Sequence, residues 1–203
     1  MRVLVACEFS GVVREAFRAR GHDAWSCDLL ASEDGSAFHY REDVREILDL
    51  GWNLMVAHPP CTHLAVSGAR WFPEKRQEQA EALEFVRTLL NAPIRRIAIE
   101  NPVSIISTHI RRPDQIIQPW QHGHKEMKTT CLWLKNLPLL KPTGLVGPPP
   151  PLAERDRAAW EPLHWTPPGP DRWKIRSTTY TGIAEAMATQ WSAPHPIQTE
   201  LAL

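Results

Sequence analysis

Residues 52–63 read Trp52-Asn53-Leu54-Met55-Val56-Ala57-His58-Pro59-Pro60-Cys61-Thr62-His63. The apolar run Leu54 to Ala57 has the length and composition of a buried strand. It stops at Pro59-Pro60, because proline has no N–H for a ladder and biases the preceding residue towards an extended shape. Cys61 is therefore held just past a strand end, on stiffened backbone. In open α/β sheets that edge is where ligands bind. A free cysteine is more often a small buried hydrophobe than a nucleophile, so the rest of the chain decides between the two. His58, Cys61 and His63 also carry metal-ligand atoms. Their spacing matches no zinc pattern, so no metal is expected, and a zinc protein stands as an alternative.

A second stretch repeats the pattern: Ile94-Arg95-Arg96-Ile97-Ala98-Ile99-Glu100-Asn101-Pro102. An apolar strand again ends in polar residues with a proline behind them. Glu100 follows three apolar or small residues, so deep burial requires a partner. In a cleft it is expected to be partly protonated, as a proton donor or anchor. Two strands thus deliver a thiol and a carboxyl to one rim, a coherent nucleophile and acid.

Upstream, Met1 to Ala6 reads as a strand leading into Cys7-Glu8-Phe9-Ser10-Gly11. Val12 to Arg20 then has helical spacing, with Val13, Ala16, Phe17 and Arg20 on one face. Ser10 is the expected N-cap and Gly21 the stop. Strand, glycine turn and helix form the first half of a nucleotide-binding βαβ unit. The next strand, Asp23 to Cys27, ends in Asp28, at about the distance where such a unit places a ribose-binding acid; a solvated loop carboxylate fits equally. Residues 31–40 read as loop and Arg41 to Leu50 as a short helix. Asp43 opens that helix as a cap, or as a contact to an adenine-type ligand. Ser67 to Pro73 reads as a flexible lid. Glu74 to Asn91 is the clearest helix, with Ala80, Leu83, Val86 and Leu90 on its apolar stripe.

The chain has 203 residues, with 23 Lys+Arg against 23 Asp+Glu, which removes any global basic signature of nucleic-acid binding. The charge is uneven: residues 1–69 hold 6 basic and 10 acidic side chains, residues 70–135 hold 11 and 7, and the remainder 6 and 6. A positive middle suits a phosphate-bearing partner, and is also within ordinary surface variation. Four scattered cysteines, with no signal peptide and no long apolar run, predict a soluble cytoplasmic protein with reduced thiols and no membrane contact.

The chain resembles the cytosine-C5 DNA methyltransferases, in a short, phage-like form. His58-Pro59-Pro60-Cys61 resembles that family's Pro-Cys nucleophile motif, and Glu100-Asn101-Pro102 its Glu-Asn-Val motif. Phe9-Ser10-Gly11 resembles the methionine-binding turn, Asp28 the ribose acid of S-adenosylmethionine, and Asp43 the next motif's aspartate near the adenine. Thr181-Gly182-Ile183-Ala184-Glu185-Ala186-Met187-Ala188 resembles the final motif, which completes the cofactor pocket. The resemblance implies a doubly wound, mostly parallel Rossmann-like α/β fold, with S-adenosylmethionine as cofactor and DNA, duplex or single-stranded, as partner. It makes Cys61, Glu100 and Lys128 catalytic; Phe9, Ser10, Gly11, Asp28, Asp43, Pro59, Thr181 and Gly182 cofactor-binding; and Pro60, Ser67 and Asn101 substrate-binding. In the implied chemistry Cys61 adds to cytosine C6, which needs a lowered thiol pKa or proton removal on attack. Glu100 then binds the N3 and amino edge. A duplex substrate would have its base flipped out.

Departures from the family pattern are equally informative. The cofactor turn has one glycine where two are usual, and His58 stands where a glycine is common. The Gln-x-Arg-x-Arg motif is missing; Lys125-Glu126-Met127-Lys128-Thr129-Thr130 precedes the strand Cys131 to Leu134 instead, and Lys128 is the candidate replacement for the base-contacting arginine. Residues 1–134 with 175–203 are expected to form the catalytic domain, and 135–174 a reduced target-recognition insert. That insert holds Pro138, Pro142, Pro148 to Pro151, Pro162, Pro167, Pro168 and Pro170, so it reads as irregular chain with polyproline character near 148–151. Trp160, Trp165 and Trp173, with Arg155, Arg157 and Arg172, either stack on bases or pin the insert to the domain. Low sequence specificity and a monomer or weak dimer are expected. The alternatives are modification of free deoxycytidylate or of an already modified pyrimidine, and a non-catalytic nucleic-acid binder that keeps the fold.

Overall fold

The computed structural model describes residues 1–147 and 157–192. The polyproline run at 148–151 and Arg155 lie outside them. Seven strands form one sheet: β1 Arg2–Ala6, β2 Asp23–Cys27, β3 His39–Tyr40, β4 Leu54–Ala57, β5 Arg96–Asn101, β6 Gln115–Ile117 and β7 Thr130–Lys135. Their order is β3-β2-β1-β4-β5-β7-β6. Neighbours from β3 to β5 pair in parallel, whereas β7 runs antiparallel to both β5 and β6. The chain order reverses between β1 and β4, which opens a crevice at their carboxyl ends.

Alternation along the strands builds a core on each face. Val3, Val5, Leu54 and Val56 pack beneath helices α1 (Val12–Arg18) and α6 (Thr181–Gln190), through Val13, Phe17, Ile183, Met187 and Trp191. Leu4, Ala6, Met55, Ala57, Ile97 and Ile99 face α2 (Arg76–Leu90) through Leu83, Val86 and Leu89. Ala80 is exposed, so the α2 stripe runs one position away from the expected one. Three shorter helices complete the set: α3 Ile106–His109, α4 Arg157–Trp160 and α5 Arg172–Ser177. No helix among the described residues is long and apolar enough to cross a membrane.

Local departures from the sequence expectation have local causes. Strand β3 lies inside the stretch read as loop; it is two residues long, too short for a periodic signal. Residues 41–50 hold a single 3-10 turn, Val44–Ile47, in place of a helix. The stretch read as a lid is a 3-10 helix, Val66–Glu74. Gly21 stops α1 as expected, at φ 77°.

Candidate active site

Three strands place the site. Strand β4 stops at Ala57, level with Ile99 of β5. Strand β5 continues two residues further, and there Glu100 and Asn101 pair with Leu132 and Cys131 of β7. Because β7 is antiparallel, its first residues lie on the rim where β4 and β5 end. Lys128 and Thr130 therefore join Cys61 and Glu100 at one edge.

Asn101 builds the cysteine loop. It is buried, and its Nδ2 donates to the carbonyl of Pro59 at 2.9 Å. The side chain expected to touch substrate is thus spent on holding the loop. Beyond it, the N–H groups of Leu64 and Ala65 bond back to the Cys61 carbonyl at 3.0 and 2.8 Å. Pro59 is buried, whereas Pro60, Cys61 and Ser67 are exposed. Cys61 meets solvent, yet its walls are close enough for burial to be the largest influence on the thiol. Burial and the Glu100 charge push it up, against the opposing pull of Lys128 and Arg176. The surroundings of the thiol therefore do not pre-ionise it.

Glu100 corrects another expectation. Burial favours its neutral form, but a hydrogen bond and charge from His58, the Lys128 charge and the Thr130 hydroxyl outweigh it. The carboxyl is held below its ordinary range, as a carboxylate. His58 Nδ1 lies 3.3 Å from Glu100 Oε2. Lys128 is anchored by its N–H to Gln118 Oε1 and by Nζ to the carbonyl of Arg176 on α5, both at 3.0 Å. Thr130 and Arg176 escaped the sequence reading, since only the antiparallel strand and the return of α5 bring them in. Among the described residues no group of three or more His, Cys, Asp or Glu is placed to hold a metal, so His58, Cys61 and His63 form no zinc site.

The cofactor side is built differently. Gly11, not Ser10, occupies the N-cap of α1, at φ 76° and ψ 0°. The capping carboxyl comes from Glu8, which accepts from the N–H groups of Val13 and Arg14 at 2.7 and 3.2 Å. Ser10 reaches only the first residue of the helix, its Oγ accepting from the Val12 N–H at 3.4 Å. Glu8 is buried, and burial raises its carboxyl against the opposing His58 charge and those two N–H bonds. Arg14 is fully buried, pairs with Asp34 and donates to Ser26 Oγ at 2.8 Å. Its guanidinium fills the space that a Cβ at Gly11 would need. Asp28 ends β2 and turns back on itself, its Oδ1 accepting from the Leu30 N–H at 2.9 Å. The charges of Asp28 and Asp43 both reach Cys7, where they add to the burial that raises its thiol. Asp43 also caps its 3-10 turn and is held low by hydrogen bonds from Arg45.

This crevice is acidic, and the first N–H groups of α1 already bind Glu8. A phosphate finds few free donors there, and the carboxyls of Glu8, Asp28 and Asp43 suit a cationic, phosphate-free ligand. Helix α5 closes the near side: Trp173 packs on Phe9 with ring centroids 5.5 Å apart, and Lys174 pairs with Glu33. Thr181 and Gly182 meet the 122–124 loop, the Gly182 N–H donating to His124 Nε2 at 3.0 Å. Gly182 lies so tightly against the His122 carbonyl that a Cβ would not fit.

No family model matches the chain, and no curated protein matches its sequence. Solved structures do. One described as a DNA modification methyltransferase encoded within a prophage (E. coli) aligns at TM-score 0.50 and 14% identity, over 71% of this chain and 51% of that one. The Entamoeba histolytica methyltransferase EhMeth aligns at TM-score 0.53 and 16% identity, over 71% and 57%. The fold is that of the Rossmann-like methyltransferases. The chain spans little more than half the length of these neighbours, and within this methyltransferase fold the rim of β4, β5 and β7 carries its candidate chemistry.

Proposed function

We propose that the chain transfers a methyl group from S-adenosylmethionine to C5 of cytosine in DNA, through a covalent bond between Cys61 Sγ and C6. The observation that carries this reading is the convergence of Cys61, Glu100 and Lys128 from the end of β4, the end of β5 and the start of β7. Cytosine C5 is a poor nucleophile until a thiolate adds to C6. Cys61 supplies that thiolate, its proton leaving on attack. Glu100 binds the N3 and amino edge and offsets charge as it develops in the ring. Lys128 and Arg176 stabilise the thiolate and the substrate's phosphates. When bound, S-adenosylmethionine supplies the electrophilic methyl group; Phe9, Ser10, Gly11, Asp28, Asp43 and the buried Pro59 hold it, and Thr181 and Gly182 close the pocket from α6. Asn101 acts on the substrate indirectly, through the loop it fixes, while Pro60 and Ser67 line the strand's path.

DNA is favoured by the reduced insert. Trp160 is buried and pins the insert, accepting at its carbonyl from the Met127 N–H. Trp165 and Trp173 are 57% and 54% exposed, and α5 carries Arg172, Lys174 and Arg176, of which Arg176 acts on the Cys61 thiol. Exposed aromatics interleaved with cations suit unstacked bases, so single-stranded DNA is the preferred substrate. The shortness of this arm favours one competing substrate, free deoxycytidylate.

The test is trapping with 5-fluorocytosine, whose C5 fluorine blocks release of the enzyme. With S-adenosylmethionine present, a single-stranded 5-fluorocytosine oligonucleotide should give an adduct that survives denaturation and is lost in Cys61→Ser. An adduct with 5-fluorodeoxycytidylate alone moves the assignment to the nucleotide. Methyl transfer without any adduct sinks the covalent mechanism.

A further inference from the structure

We propose that His58 is a positioning residue for Glu100: buried against that carboxyl, it keeps the hydrogen that Glu100 delivers to ring N3 of the bound pyrimidine. This rests on the cytosine reading above and adds a residue to it. A carboxyl assisting N3 needs a hydrogen to give, and Glu100 is held as a carboxylate with none. Its hydrogen-bond partner can supply one. His58 Nδ1 is 3.3 Å from Glu100 Oε2, and the side chain is nine-tenths buried. Its other nitrogen, Nε2, is buried with no hydrogen-bond partner among the described residues. A buried imidazole hydrogen-bonded to a single carboxyl is suited to sharing one proton with it.

The groups facing His58 come from three strands. Glu8 stands at the end of β1 and Glu100 at the end of β5, and the charge of His58 acts on both carboxyls. Lys128, leading into β7, acts on Glu100, and Glu100 in turn acts on Cys61, three residues further along the loop of His58 itself. Glu8 is tied to the first turn of α1, so its carboxyl cannot swing to a substrate. Glu100 is therefore the acceptor for the Nδ1 hydrogen.

The proton balance closes. As Sγ bonds C6, the C5–C6 π pair moves into the ring, N3 becomes basic and the thiol proton leaves to water. Glu100 passes a proton to N3 and takes one from His58 Nδ1, leaving a neutral imidazole. After the methyl group arrives at C5, the C5 proton leaves to solvent and the Sγ–C6 bond breaks. The N3 proton then returns by the same path, and the released Sγ thiolate regains a proton from water. His58 ends as it began, and the net change is a methyl group for a proton at C5.

The experiment follows the rate of adduct formation on single-stranded 5-fluorocytosine DNA with S-adenosylmethionine, from pH 6 to 9, in wild type and in His58→Gln. Glutamine keeps a hydrogen-bond donor but cannot give up a proton. Wild type should slow on the alkaline side. His58→Gln should be slower by about 10²-fold and lack that decline, while binding S-adenosylhomocysteine within threefold of wild type. A His58→Gln rate within threefold of wild type, or an unchanged pH profile, overturns the inference. So does a wild-type rate that rises steadily to pH 9, which needs no variant at all. If wild type forms no adduct at any pH, the cytosine reading falls and takes this inference with it; an adduct with an unchanged profile removes the inference alone.

Discussion

Glu8 and Glu100 are the same residue type, one just past the end of β1 and the other near the end of β5, the two strands that flank β4. They are driven in opposite directions. Burial raises Glu8, whose bonds are to two backbone N–H groups. Burial acts on Glu100 too, but His58, Lys128 and Thr130 overcome it and hold that carboxyl low. Depth does not decide the ionisation; the neighbours do. Backbone dipoles finish a helix, whereas mobile cations leave a carboxylate available to a ligand. Glu8 is tied to the scaffold, whereas Glu100 is held as a carboxylate at the rim of β4, β5 and β7.

The sharpest way to break this division is at the thiol that only one of the two carboxyls faces. Cys61→Ala should lower methyl transfer by on the order of 10³-fold or more, with the melting temperature little changed; equal losses in Glu8 variants would erase the contrast. Next, Glu100→Gln should slow adduct formation by about 10²-fold. Trp173→Ala should weaken single-stranded DNA binding by roughly tenfold, as loss of one stacked base predicts, measured by fluorescence anisotropy. The smallest effects are on stability. Glu8→Ala leaves two buried N–H groups without a partner and should cost about 1–3 kcal/mol, with each kcal/mol lowering the melting temperature by about 2–4 °C.

Thermal melts across pH then separate the two carboxyls by sign. Glu100 has a lowered folded pKa, so its contribution is present above the ordinary 4.5 and is lost as pH falls through the folded value. Glu8 has a raised folded pKa, so its contribution is present below 4.5 and fades as pH rises through the folded value. The deficit of Glu100→Gln against wild type should shrink in acid, whereas that of Glu8→Gln should shrink towards neutral pH. Parallel curves for the two variants would show that both carboxyls sit in equivalent surroundings.

Strands β1, β2, β4, β5 and β7 were legible because each is an apolar run closed by a turn residue or a proline. The cysteine and the glutamate were legible for the same reason, as first polar residues past a strand. What stayed hidden depends on pairing between distant segments. Nothing in Lys128-Thr129-Thr130 announces an antiparallel strand, yet that direction alone brings the lysine to the rim. Arg14 reads as a solvated helix residue until Ser26 and Asp34 close around it. Asn101 was placed on the substrate because its neighbour in sequence is, and its bond to the Pro59 carbonyl shows a brace instead.

The opposed course of β7 carries one last consequence. Side chains alternate with a period of two, so a two-residue slip of β7 against β5 would keep every apolar group on its proper face. The same slip would carry Thr130 and Lys128 about 7 Å along the edge. Hydrophobic matching alone therefore leaves this alignment undetermined. Lys135 and Asn136 at the far end of β7 settle it, the Lys135 Nζ donating to the Ala92 carbonyl at 3.2 Å and the Asn136 Nδ2 to the Arg95 carbonyl at 2.8 Å, just before β5. Contacts at one end of the strand thus set the aim of a lysine at the other.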